Sequence, residues 1–96
     1  MDVELTRTFL EVAASGSFIA AAQRLHLTQT AVSARVRALE HHLGLRLFVR
    51  NKAGARLTPA GERFMRYATN LVQAWERAHH HVALPPGREA GISIGA

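Results

Sequence analysis

Hydrophobic residues along the chain recur with the 3.6-residue period of an α-helix in several successive segments. The first segment covers residues 1–15 and places Leu5, Phe9 and Val12 on one face. A second pattern covers 18–25, with Ser17 in front of it as a suitable N-cap. We predict two helices here, the first packing behind the elements that follow.

A third helical pattern follows the short break at residues 26–28. Thr28 is a suitable N-cap for it, and the helix is predicted to begin at Gln29. It ends at Gly44, the residue type best suited to a left-handed C-cap. Its apolar stripe consists of Val32, Val36, Leu39 and Leu43.

The opposite face of this third helix is polar and has no acidic residue before Glu40. In a DNA major groove, Gln can pair with adenine, Arg with guanine, and Ser or Thr with either. The pattern therefore predicts a helix-turn-helix whose second helix recognises DNA. The alternative is an ordinary helical hairpin with a solvated face. The residues of this face are Thr30, Ser33, Ala34, Arg37 and His41, with Gln29 at the helix start.

The spacing of hydrophobic residues no longer follows the helical period after Gly44. Residues 45–50 are short, apolar and β-prone, 51–54 are turn-like, and 55–58 form a second extended run. We predict a β-hairpin, a wing whose basic side chains reach a phosphate strand or the minor groove. A solvated basic loop is the alternative. The basic residues of the wing are Arg50, Lys52 and Arg56.

A long helix is predicted from Pro59 to Leu84, with Thr58 as its N-cap. At about 39 Å it is too long to be buried on so small a domain. Its apolar positions are spaced 4, 3, 4, 3 and 4 residues apart, like a coiled-coil seam, which predicts a dimerisation helix. The alternative is that its first part packs on the core of its own chain. The seam consists of Phe64, Ala68, Leu71, Trp75, Ala78 and Val82.

Composition narrows the function. With 96 residues the chain is predicted to form one small folded unit, and its net charge is +5. The basic residues cluster between positions 46 and 66, as expected of a phosphate-binding surface. The chain has no cysteine, no secretory signal and no apolar stretch near the ~18 residues that span a bilayer, so we expect a cytoplasmic protein without membrane contact.

The run from His79 to His81 suggests a metal site, but consecutive helical residues point ~100° apart and cannot converge on one ion. We therefore predict no metal and no cofactor.

Glu40 also diverges from His41 and His42, and there is no glycine-rich phosphate loop, so no enzyme is predicted. The competing class is a protein-interaction module that uses the helix seam.

The whole chain resembles the N-terminal DNA-binding region of LysR-type transcriptional regulators. The match has no gap from residue 1 to about 66; beyond that it rests on helix character and on 92–95. The residues that carry the resemblance are Phe9, Gly16–Phe18, Ala21, Ala22, Leu25–Gln29, Ala31–Ser33, Leu39, Glu40, Leu43, Gly44, Leu47, Phe48, Arg50, Leu57, Thr58, Ala60 and Gly61.

The resemblance implies a bacterial, mainly α, winged helix-turn-helix protein that binds double-stranded DNA as a homodimer at an interrupted inverted repeat of the T…A type. Two positions depart from the family: Thr30 replaces a usual Pro, and Ala34 replaces a residue that is often Arg. Arg37, or Arg35 on the flank, can replace that contact, or recognition can shift toward the wing and DNA shape.

The predicted organisation is a winged helix-turn-helix domain at 1–58, a linker helix at 59–84, and at 85–96 a hinge that begins an effector-binding domain absent from this polypeptide. The chain is therefore expected to bind DNA without sensing an effector. Predicted base contacts are Gln29, Thr30, Ser33 and Arg37. Predicted backbone or wing contacts are Thr28, Arg35, His41, Arg50, Lys52 and Arg56.

Overall fold

The structure, a computed structural model, describes the backbone of residues 2–82 and the side chains of residues 2–80. Within these residues the chain forms four helices and a two-stranded antiparallel hairpin. The elements are α1 (Val3–Ser15), α2 (Phe18–Leu25), α3 (Gln29–Leu43), β1 (Phe48–Asn51), β2 (Gly54–Leu57) and α4 (Pro59–Val82). The predicted hinge and strand start at 85–96 lie outside the described residues.

Cap geometry confirms the predicted starts of α2, α3 and α4 and the predicted ends of α2 and α3. The first helix begins at Val3 with Asp2 as its N-cap, and the predicted end of the long helix at Leu84 lies outside the described residues. The hydroxyls that cap α2, α3 and α4 each accept a hydrogen bond from an N–H of the first turn, which satisfies a donor that has no partner within the helix. Gly44 ends α3 in the left-handed region, with φ 69° and ψ 25°. The capping pairs are Ser17 with Ala20 at 3.1 Å, Thr28 with Ala31 at 3.0 Å and Thr58 with Gly61 at 3.0 Å.

The core is built around Phe9 of α1, which is fully buried. Its ring contacts Phe48 of β1 at a centroid distance of 5.3 Å and Phe64 of α4 at 5.2 Å. Phe48 in turn meets Phe18 of α2 edge-on at 5.7 Å. The predicted stripe of α3 faces this core: Val32, Val36 and Leu39 are buried, and Leu43 is partly buried.

The hairpin is shorter than predicted and begins later. The strands span 48–51 and 54–57, with Phe48 opposite Leu57. The preceding residues do not join the sheet because their backbone is bound to α3. The N–H of Leu45 donates to the Glu40 carbonyl at 3.1 Å, and that of Leu47 donates to the Glu40 carboxylate at 2.7 Å. On the other strand, the N–H of Ala55 donates to the Gly16 carbonyl at 2.9 Å, which ties the hairpin to the α1–α2 turn.

The first half of the predicted α4 seam packs inside its own chain. Ala68 is fully buried, and Phe64 is packed against Phe9. This packing agrees with the alternative for the first part of the helix, in which it packs on the core of its own chain; dimerisation through the seam stays a prediction. Farther along, Trp75 is 50% exposed and Ala78 is exposed, so this part of the seam remains open to a partner. The side chain of Val82 lies outside the described residues.

Candidate nucleic-acid interface

The polar side of α3 faces solvent, as its spacing predicts. Gln29, Thr30 and Arg37 are exposed, and Ser33 is half-buried. Because the opposite stripe is packed in the core, this helix cannot rotate without breaking that packing. We call this side the recognition face; it consists of Gln29, Thr30, Ser33, Ala34, Arg37 and His41.

The wing, which is the β1–β2 hairpin, reaches the middle of the recognition face through Arg50. Its Nη1 donates a hydrogen bond to the Oγ of Ser33 at 3.3 Å. The same guanidinium lies over the ring of Phe18, with Cζ 4.0 Å from the ring centroid. Ser33 and Arg37 therefore share a cleft of about 370 Å³ with Arg50. The lining residues of this cleft are Phe18, Ser33, Val36, Arg37, Glu40, Arg46, Phe48 and Arg50.

The start of α3 and the tip of the wing border a second cleft, of about 220 Å³. Gln29 lines it together with Asn51 and Lys52. The exposed side chain of Ile19 adds to the lining from α2. An amide side chain and a cationic side chain thus line one opening, although they are far apart in sequence.

The remaining predicted contact residues do not gather at these clefts. Arg35 lies on the flank of α3, where its Nη1 is 3.8 Å from a carboxylate oxygen of Glu4 on α1. Arg56 pairs with Val49 across the hairpin, whereas Arg50 pairs with Ala55. Since neighbouring strand residues point to opposite sides, Arg56 lies on the other face of the wing from Arg50. Thr28 caps α3, and His41 is exposed near its end.

Two residues contribute to the site in ways that the spacing of residues in the sequence does not indicate. Phe18 is 6% exposed and is predicted as part of α2, but its role as the platform beneath Arg50 depends on the packing of α2 against the wing. Glu40 is the acid nearest the recognition face. Its carboxylate accepts from the N–H of Leu47 and lies 3.8 Å from Nε of Arg46, so its negative charge is partly neutralised and directed toward the hairpin.

Among the described side chains, those of residues 2–80, no group of three or more His, Cys, Asp or Glu is placed to hold a metal ion. Nor does any helix in that part of the chain have the length and apolarity to cross a membrane.

Three helices around a small core, a hairpin beside the third helix and a polar, acid-poor recognition face define a winged helix-turn-helix protein. The sequence model described as "Bacterial regulatory helix-turn-helix protein, lysR family" matches residues 3–62. The chain belongs to the lysR family of bacterial regulators, which confirms the resemblance found in the sequence.

Individual relatives agree with this assignment. The chain is 52% identical over 96 residues to the HTH-type transcriptional regulator HdfR of Yersinia enterocolitica, covering 100% of this chain and 32% of the relative. The chain therefore spans about a third of the length of the curated relatives it matches. The DNA-binding domain of CbnR, solved in a complex with DNA, superposes with a TM-score of 0.81 at 33% identity, over 84% of this chain and 93% of that one.

A second solved complex, the BenM DNA-binding domain with benA site 1 DNA, gives a TM-score of 0.79 at 29% identity. It covers 86% of this chain and 93% of the other. These matches confirm the predicted fold class of four helices and a wing.

Proposed function

We propose that this chain is the DNA-binding part of a transcription regulator that binds an inverted-repeat operator as a homodimer. The observation that carries the proposal is the recognition face of α3, which is exposed, free of acids and flanked by a basic wing. The matched CbnR and BenM domains were solved with DNA, which supports the same role for this chain.

Base recognition is assigned to Gln29, Thr30, Ser33 and Arg37. Gln29 matches the donor and acceptor of adenine, and the forked guanidinium of Arg37 matches the two acceptors of guanine. Both side chains are exposed, and no ion pair with Arg37 is found among the described residues. Thr30 can contact either base type.

Phosphate contacts are assigned to the wing and to the ends of α3. Lys52 and Arg56 are exposed; Lys52 lies in the turn at the tip of the wing, and Arg56 lies on β2. The Thr28 hydroxyl accepts within its own cap, so it can still donate to a phosphate oxygen. His41 lies near the far end of the helix. Arg35 must leave Glu4 to reach DNA, which makes it the weakest member of this set.

Two copies are proposed to pair through the distal half of α4, so that two α3 helices meet successive half-sites. In this organisation 1–58 binds DNA, 59–84 links and dimerises, and 85–96 leads into an effector-binding domain. A regulator of this type acts on the chromosome, so we place it in the cytoplasm and assign it no enzymatic activity. Its relatives carry the names of transcriptional regulators.

The proposal is tested by fluorescence anisotropy with two duplexes, a T…A inverted repeat and a scrambled sequence, over a series of salt concentrations. Gln29→Ala and Arg37→Ala should each weaken binding to the repeat by ~1–3 kcal/mol while binding to the scrambled duplex changes little. Gln73→Ala, an exposed glutamine on α4, is the matched control and should leave both affinities unchanged.

Equal losses on both duplexes would show that the two side chains do not distinguish bases. Failure of the wild-type chain to bind either duplex at low salt would reject the regulator and favour the protein-interaction module instead.

A further inference from the structure

Ser33 is a proposed base-contacting residue, yet its hydroxyl already has a partner within the protein. The guanidinium of Arg50 donates to Ser33 Oγ at 3.3 Å. Arg50 belongs to β1, so a side chain of the wing contacts the recognition helix at the place where a base is to be read.

Arg50 is held in this position by an aromatic platform. Its Cζ lies 4.0 Å from the centroid of Phe18, a distance at which a cation is attracted to the ring face. Phe18 is itself fixed, since it is 6% exposed and packs edge-on against Phe48 at 5.7 Å. A planar guanidinium stacked on a buried ring can adopt few orientations, so its N–H stays directed at Ser33 instead of moving freely in solvent.

The bond constrains what Ser33 can offer to DNA. A serine hydroxyl has one donor hydrogen and two acceptor lone pairs, whereas a guanidinium only donates. With Arg50 occupying a lone pair of Oγ, the hydroxyl hydrogen must point away from the cation. The hydrogen is then free to donate toward the groove, whereas Oγ keeps only one lone pair for accepting, next to a cation that repels a further donor.

We propose that Arg50 is a positioning residue that makes Ser33 a hydrogen-bond donor, so that this position selects base edges that accept, namely purine N7, guanine O6 and thymine O4, over the amino groups of cytosine and adenine. This rests on the proposed function, because it requires that Ser33 faces a base. It assigns Arg50 to specificity rather than to phosphate binding.

The test measures base preference with a library of inverted-repeat duplexes in which each base pair is varied in turn. The proteins compared are the wild-type chain, Ser33→Ala, Arg50→Lys, Arg50→Gln and the double variant Ser33→Ala with Arg50→Gln. Arg50→Lys keeps the charge but loses the flat fork that stacks on Phe18 and points at Ser33. Lys52→Gln removes a cation from the same hairpin and serves as the control for uniform loss.

Ser33→Ala is expected to relax the preference at one pair of symmetry-related positions by about 2- to 12-fold, the range for a single hydrogen bond. Both Arg50 variants should relax the same positions, and the double variant should relax them no further. Lys52→Gln should instead weaken all duplexes alike. Replacing the purine at those positions by its 7-deaza analogue tests N7 as the acceptor: where N7 is that acceptor, the wild type loses affinity and Ser33→Ala does not.

A different pattern would overturn the inference. If Arg50→Gln and Arg50→Lys preserve the Ser33-dependent preference, or if the Ser33 and Arg50 effects add, Arg50 does not act through Ser33. A uniform loss for Arg50→Gln with a salt slope reduced by about one would identify it as a phosphate ligand. If the wild-type chain binds every duplex equally, base recognition itself fails, and the proposed function is rejected before Arg50 is considered.

Discussion

At the scale of single residues, the turn between α2 and α3 depends on His26. This residue ends α2 with φ 57° and ψ 42°, in the left-handed region that residues with a Cβ seldom adopt. Its N–H donates to the Gln23 carbonyl at 3.3 Å, and the next N–H donates to that of Ala22 at 2.9 Å. The left-handed conformation of His26 thus ends α2 and turns the chain toward the recognition helix.

Substitutions at His26 should change stability in opposite directions. His26→Gly removes the Cβ that is crowded in this conformation, and we expect the free energy of unfolding to rise by a few tenths to about 1 kcal/mol after the extra freedom of the unfolded chain is subtracted. His26→Val should lower it by more than about 1 kcal/mol, because a β-branched residue fits this region worst.

Urea denaturation measures both effects as shifts of the midpoint at constant slope. The side chain of His26 is exposed, so loss of core packing does not complicate the comparison. Equal midpoints for the Gly and Val variants would show that the conformation of this residue is not what limits stability.

The set of side chains that share one face of a helix was predictable from the sequence. Contacts between side chains of different elements were not. The recognition face follows from the 3.6-residue period, since Thr30, Ser33 and Arg37 lie opposite a regular apolar stripe. The contact of Arg50 with Ser33 and Phe18 joins a strand to two different helices. The spacing of residues along the chain does not indicate such a contact, because it forms only when the hairpin packs against the helices.

At the scale of elements, α4 begins in close contact with the segment that leads into β1. The N–H of Thr58 donates to the Leu47 carbonyl at 2.9 Å, and its hydroxyl donates to that of Arg46 at 2.6 Å. Gly61 is buried in the first turn of α4, and a Cβ built on it would overlap the same Leu47 carbonyl oxygen. The absence of a side chain at Gly61 therefore allows α4 to pass close to the backbone that leads into β1.

Gly61→Ala should destabilise the protein even though alanine is the better helix former. We expect a loss of about 1–3 kcal/mol from the forced backbone shift. Asn70→Ala is the matched control at an exposed position of the same helix, and it should be neutral or slightly stabilising. Thermal unfolding followed by circular dichroism compares the two, and a higher melting temperature for Gly61→Ala would contradict the close approach.

The helix boundaries were predicted well because caps and glycine carry local signals. The strand boundaries were not, because the residues from Leu45 to Leu47 look like the start of a strand. In the folded chain the N–H groups of Leu45 and Leu47 are bound by the backbone and the side chain of Glu40, respectively. Glu40 lies in a helix, yet its backbone and side chain bind the loop that leads into a strand. These partners come close to Glu40 only in the assembled fold.

At the scale of the whole molecule, the described residues measure 53 × 25 × 19 Å, and part of the long helix α4 carries exposed apolar surface. The period of α4 does not reveal whether an apolar position meets its own chain or another. The core takes Phe64 and Ala68, while Trp75 stays half exposed with its ring stacked near His79 at a centroid distance of 6.3 Å.

Trp75→Ala should shift the protein toward monomer. Large aromatic side chains at the centre of an interface commonly contribute 2 kcal/mol or more, and the substitution removes one from each protomer, so the dimer dissociation constant should rise at least about 30-fold. Sedimentation velocity at micromolar concentration measures the shift. Ile19→Ala removes an exposed apolar side chain from α2 and should leave the dimer intact. An unchanged dimer in Trp75→Ala would place the interface elsewhere.

The contiguous rings of Phe64, Phe9, Phe48 and Phe18 have a consequence for the spacing of an operator. They join α4 through α1 and β1 to α2, and both α1 and α2 pack against α3, so a tilt of α4 carries α3 with it. In a pair of such chains, the crossing angle of the two long helices then fixes the helical phase between half-sites. Each inserted base pair turns one half-site by about 34° around the DNA axis. Because the crossing angle of the protein is fixed, the DNA itself must twist to bring both half-sites back into contact.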